Sequence, residues 1–323
     1  MKDRPQNQLP SFRQMLSKPL AFNSPLLRKV WSYKSIYAMI SVGVIYFVIF
    51  RYVTLYGILI AFKTYRIRLG IMGSPWAGFS NFTQALGNIE FPRIVRNTLL
   101  ISFGHIIFGF PMPIILSLLL NELKSPTYKK SIQSLLYLPH FVSWIILAGI
   151  CNNLFSITNG VFPLFFRQIG VEMPSLISDP KYFVWFLFGS SIWKNMGWGT
   201  IIYLAGIAGI DPELYESSII DGCNRFQQVI HITLPCLSLT IVTLLVLNMG
   251  GIMNAGFDQI FNLYSPRTQG VSDIIDTYVY RLGIQSGRFE YATVIGLFKS
   301  VINCIMLFSV NWIAGKISDS SPL

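Results

Sequence analysis

Six apolar runs, each close to the roughly twenty residues that cross a bilayer's hydrocarbon core, constrain this chain more than anything else in it. They fall at about 33–50, 97–120, 134–155, 183–205, 236–253 and 291–314. In lipid every backbone polar group must be satisfied within the structure, which leaves only helices and closed barrels. Barrel strands are about ten residues long and alternate in polarity; these runs are longer and continuous. The charged fraction, 12% of 323 residues, agrees, since soluble domains carry about 25%. The expected fold class is an all-α integral membrane protein with six transmembrane helices.

An even span count puts both termini on one side. Seven Lys and Arg precede Ser35, and the first apolar run has no small-residue cleavage site after it, so residues 1–34 read as a cytoplasmic tail followed by a signal anchor. Lys and Arg divide almost evenly across the membrane, twelve inside against eleven outside, so the N-terminal tail decides the orientation. The expected layout is a tail over 1–34, a transmembrane domain over 35–315 and a second cytoplasmic tail over 316–323. Three sizeable outer loops follow, at about 51–96, 156–182 and 254–290. Two readings of these loops stand: a docking surface for a partner, or a lid packed on the helices. The net charge of +11 belongs to membrane ends and carries no basic, aromatic-interleaved stretch that would bind nucleic acid. Cys151, Cys223, Cys236 and Cys304 form no Cys-x-x-Cys pair, so neither a metal site nor a disulfide framework is expected.

One polar stretch, 211–235, interrupts the apolar pattern on the cytoplasmic side. Asp211 suits an N-cap, and Pro212 suits the first helical position, where a missing N–H costs nothing. Glu213 and Glu216 lie where the helix dipole favours negative charge. Gly222 supplies a turn, a second short helix runs over 224–233, and Leu234-Pro235 closes it. This helix–turn–helix is shaped to dock something outside the membrane.

Polar groups inside spans are expensive and usually face a bundle interior or a water-filled path. The fourth span is densest, with Trp193, Lys194, Asn195, Trp198 and Tyr203. Aromatic faces beside amide and ammonium donors suit sugar rings. Trp193, Lys194, Asn195, Trp198, Asn248, Asn254 and Lys299 are therefore the candidate substrate pathway; interfacial anchoring, snorkelling and helix–helix hydrogen bonding are the competing roles. His140, after Pro139, reads as a helix-start residue. No catalytic set and no phosphate-cradling Gly-x-x-x-x-Gly-Lys-Ser/Thr occurs. A membrane enzyme needs an acid/base cluster at one face. A secondary sugar transporter, the main alternative, needs intramembrane carboxylates for ion coupling, and no acidic residue falls mid-span.

Glu216-Ser217-Ser218-x-x-Asp221-Gly222, with Leu234-Pro235 twelve residues on, resembles the cytoplasmic Glu-Ala-Ala loop of importer permeases that use a separate binding protein. Serines replace the two alanines, and both remain small. Further segments are similar to the polysaccharide and complex-oligosaccharide permeases of bacterial ABC transporters. They include the run from Tyr137 to Trp144, Trp193-Lys-Asn-Met-Gly-Trp-Gly, the run from Asp211 to Glu216, and Gly256-Phe-Asp-Gln-Ile-Phe. The resemblance covers about 35–315. It implies a type I ABC importer permease in the bacterial inner membrane. Its partners would be a second homologous permease, two ATPase subunits that bind ATP and Mg, and an extracytoplasmic solute-binding protein. The chain itself would hold no cofactor and no catalytic residue. Asp211, Pro212, Leu214, Tyr215, Glu216, Ser217, Ser218, Asp221, Gly222, Leu234 and Pro235 would form the ATPase-coupling loop. The substrate would be an oligosaccharide, and Lys194 and Lys299 would suit an acidic one such as an alginate or pectin fragment.

Overall fold

The computed structural model describes residues 32–317, with side chains to Trp312. The two expected tails therefore fall almost wholly outside the described residues. Long helices dominate: α1 (Lys34–Phe62), α2 (Phe91–Asn121), α3 (Pro126–Phe141), α4 (Trp144–Phe155), α5 (Pro180–Ala208), α6 (Pro212–Ile220), α7 (Arg225–Gly250) and α8 (Phe289–Ile317). Among the described residues no β-strand occurs, only an isolated bridge between Lys63 and Trp76.

The chain divides after Ile58 into two compact units. In the first, every described side chain from 32 to 56 is exposed. Such a helix, apolar apart from Lys34, Arg51 and a few hydroxyls, is a surface for lipid or for protein in lipid, not for water.

In the second unit, α5 packs along the Pro111–Asn121 half of α2 and against α3, while α7 packs on α8. Between apolar helices in lipid the hydrophobic effect gives little attraction, so close approach and polar contacts do the work. Four glycines mark the close approaches. Gly197 faces the Leu136 backbone, Gly199 faces Pro113, Gly206 faces Leu237 and Gly104 faces the Phe188 ring.

Proline does not stop the spans. Pro111 and Pro113 follow a π-turn at His105–Gly109, and Pro235 follows another at Val229–Thr233. A proline ring collides with the carbonyl four residues back. Here those carbonyls belong to Ile107, Gly109 and His231, all inside the widened turns, so the helices pass through. Leu234-Pro235 accordingly closes nothing: the expected second short helix is the foot of α7.

The third expected span is not one helix. α3 and α4 meet at a 101° bend across Val142–Ser143. Ser143 caps α4 through the Ile146 amide. His140 accordingly ends α3 rather than starting a helix. Among the described residues four helices, α1, α2, α7 and α8, are long and apolar enough to cross a bilayer, and the bent α3–α4 pair makes a fifth if it is one broken span. α5 has the length, 29 residues, but Lys181, Lys194 and Asn195 dilute its hydropathy. Length and composition thus support four or five of the six expected spans among the described residues.

Of the outer loops, the one after α7 is the most changed. Residues 254–290 pack on the helices, as the second of the two readings has it, and supply much of the core. Short helices Phe257–Leu263, Gln269–Ser272 and Ile275–Tyr280 bury Ile260, Ile274 and Ile275 completely. Asp273, also fully buried, takes both guanidinium nitrogens of Arg281 (2.6 and 3.2 Å) and the Thr277 hydroxyl (2.7 Å). Burial works against the Arg281 charge, but the hydrogen bond and charge of Asp273, with the charges of Glu90 and Tyr264, together outweigh it and hold that group above its ordinary pKa. Asn97 on α2 donates to the Gly270 and Asp273 carbonyls, locking this segment to the bundle.

Candidate functional site

The loop over 211–235 forms by local rules. The Asp211 carboxylate accepts from the Glu213 amide at 3.0 Å, capping α6 with Pro212 at its first position. At the other end, Gly222 adopts φ 81°. Its N–H donates to the Ile219 carbonyl and that of Cys223 to the Ser218 carbonyl, at 3.1 and 2.9 Å. This pair of bonds is a Schellman stop, which requires a left-handed residue at the turn. Asn224 and Gln227 then exchange side-chain and backbone hydrogen bonds to cap α7. The loop outward of these caps shows Glu213, Leu214, Glu216, Ser217 and Ile220 to solvent, with Phe226 exposed nearby. Ile220 is 87% exposed and Phe226 72%. Apolar side chains this open, set among carboxylates, form an exposed apolar patch of the kind that suits an interaction. Tyr215 and Ser218 turn inward.

The pathway candidates separate into distinct places. Asn195, Trp198 and Asn248 line one cavity of about 410 Å³ between α2, α5 and α7. His105 and Tyr203 line it too; their polarity within a span is the signal that marks them in the sequence. Trp193 borders a separate, wholly apolar cleft with Cys151 and Phe186. Asn254 sits exposed in the turn after α7.

Neither lysine is free to meet a substrate. The Lys194 ammonium donates to the carbonyls of Pro139 (3.2 Å), His140 (2.8 Å) and Val142, with the side chain 7% exposed. A lysine has three donors, and all three are used on the chain break between α3 and α4. Lys299 donates to both carboxylate oxygens of Asp276, at 2.6 and 2.8 Å. Its charge is thereby compensated by an acid from the segment expected to be an outer loop. These two positions are corrections to the expected pathway.

The break is where two of the resemblance-bearing segments meet. Beside the Lys194 bonds, the His140 ring stacks on Trp198 at 4.7 Å and 4°, and His140 Nδ1 lies 3.3 Å from Asn195 Oδ1. The segment around Tyr137–Trp144 and the segment around Trp193–Gly199 thus form one unit, with its polar edge on the cavity.

Residues 124–319, more than half of the chain, match the family described as binding-protein-dependent transport system inner membrane component. The chain belongs to this family. The permease is 42% identical over 299 residues to protein LplB of Bacillus subtilis, covering 93% of each chain. It is 38% identical to the polygalacturonan/rhamnogalacturonan transport system permease protein YteP of the same organism, covering 91% of this chain and 92% of the other. Among solved structures it is similar to a chain of a bacterial ABC transporter involved in the import of the acidic polysaccharide alginate. The TM-score there is 0.85 at 38% identity, over 91% of this chain and 100% of that one. A second structure, of a bacterial alginate ABC transporter in complex with alginate pentasaccharide-bound periplasmic protein, matches at TM-score 0.85 and 37% identity, over 92% and 100%. The permease is thus a multi-pass membrane component of a binding-protein-dependent ABC importer, not an enzyme.

Proposed function

We propose that this permease carries oligosaccharides, uronic-acid-rich ones first among them, along a path bordered by Asn195, Trp198 and Asn248, driven through α6 by partner ATPases. Two ATPase subunits would bind ATP and Mg, a second permease would complete the path, and an extracytoplasmic binding protein would deliver the sugar. Both termini and the 211–235 loop would then face the cytoplasm. The observation that carries this reading is the α6 face: a short helix capped at both ends, presenting Leu214 and Ile220 among Glu213 and Glu216 on a permease of this family. The acidic substrate class rests on the relatives' names alone, because Lys194 and Lys299 are both engaged within the chain. Glu216→Lys is expected to abolish co-purification of an ATPase, and with it oligosaccharide-stimulated ATP hydrolysis, while leaving the fold intact. Full stimulation in that variant would overturn the coupling assignment.

A further inference from the structure

A helix that receives force must be held to the span it moves, and the turn at Asp221–Asn224 is a poor holder. Gly222 is left-handed, with open space around it. What ties α6 to α7 is a pair of buried side-chain bonds across that turn. Gln228 Nε2 donates to Ser218 Oγ at 2.8 Å, and Ser218 Oγ in turn donates to the Tyr215 carbonyl at 2.7 Å. Thr233 Oγ1 donates to the Gln228 carbonyl at 3.4 Å, which leaves its lone pairs to accept the Tyr215 hydroxyl at 2.9 Å. Ser218 and Gln228 are each 7% exposed and Thr233 is 3% exposed. Buried polar groups that satisfy one another fix geometry, because sliding either helix would strand them unpaired.

Two further features fit. The rungs at Gln228 and Thr233 bracket the π-turn Val229–Thr233, and such turns are weak points where a helix can rotate and recur at functional sites. A cavity of about 450 Å³ adjoins the same residues, lined by Leu118, Tyr215, Cys223, Gln228 and Thr233. The linkage therefore borders open space on the side of α2.

We propose that Tyr215, Ser218, Gln228 and Thr233 are positioning residues that form a two-rung strut, converting displacement of α6 into rotation of α7. Close packing alone needs only a small residue at 218; the serine hydroxyl supplies a rung. The inference rests on the coupling reading of α6 given above.

The test uses the full complex with its ATPase subunits, the four native cysteines replaced by alanine, and spin labels on cysteines placed at the exposed positions Leu247 on α7 and Phe308 on α8. The label separation is measured with and without vanadate-trapped nucleotide, so no sugar is needed. The unmodified loop is expected to shift on trapping. In the assembled complex, Ser218→Ala with Thr233→Val, which removes both hydroxyls at nearly constant volume, is expected to lose the shift about five-fold or more, the equilibrium factor that one or two lost hydrogen bonds represent. Thr233→Ser, which keeps its hydroxyl, is expected to retain it. A full shift in the hydroxyl-less variant overturns the strut and leaves the coupling reading standing. No shift in the unmodified loop overturns the coupling reading itself. If the double variant does not assemble, Tyr215→Phe alone is read by the same criterion.

Discussion

Lys194 illustrates how a residue's chemistry can be right and its role wrong. A lysine in mid-span must find partners, since an unpaired ammonium in lipid costs several kcal/mol. It finds them in three carbonyls at the α3–α4 break, those of Pro139, His140 and Val142, the first of which also accepts the Val142 amide. The side chain is thus a cap placed from another helix, worth about 1.5–3 kcal/mol per hydrogen bond to a charged group before desolvation is counted. Lys194→Met, which keeps length but removes the donors, is expected to destabilise the permease by about 2–4 kcal/mol. That is read as a lower unfolding temperature in detergent. It is also expected to reduce uptake of neutral and acidic oligosaccharides alike. Loss confined to acidic substrates, with stability unchanged, would return Lys194 to the pathway.

At the scale of elements, small residues set the distance between helices. A methyl on Gly197 would meet the Leu136 carbonyl on α3, which is backbone and cannot rotate away. A methyl on Gly104 would meet the rim of the Phe188 ring, which can tilt. Gly197→Ala is therefore expected to cost more than Gly104→Ala, the first at the upper end of the roughly 1–3 kcal/mol typical of overpacking. Comparing unfolding temperatures of the two variants checks the order; equal values would mean that α3 and α5 are freer to separate than they look. The π-turns belong to this scale too. They let α2 and α7 run through prolines that, read one residue at a time, look like stops.

Across the whole molecule, the segment after α7 decides which groups share the interior. It carries Asp273 and Asp276 inward and joins the latter to Lys299 on α8, so a carboxylate enters the bundle although none lies within an apolar run. Removing one partner leaves the other charge half-buried and unpaired. Asp276→Asn or Lys299→Met alone is expected to cost about 2–4 kcal/mol, less than a fully buried pair because both groups keep some exposure, and the double variant is expected to recover much of it. A thermal-unfolding double-mutant cycle measures the coupling. Additive losses would show that the pair is solvated and contributes little. Because the carboxylate is already paired, it does not resemble the free acid an ion-coupled secondary transporter needs.

The sequence by itself determined the helical membrane class, the places of most spans, and the start and the turn of the short helix over 212–220. Each of these depends on residues close together in the chain. An apolar run must satisfy its own backbone in lipid, Asp211-Pro212 must start a helix, and Gly222 can take a left-handed turn that few other residues accept. The motif similarity also carried the family correctly. Only the tertiary structure decided what Lys194 and Lys299 hold, that the third span breaks at 101°, and that 254–290 is core rather than loop. The reason is separation. Lys194 and the Pro139 carbonyl are 55 positions apart, and Asn97 and the Asp273 carbonyl are 176. No local pattern of charge or hydropathy records a partner that arrives from another helix.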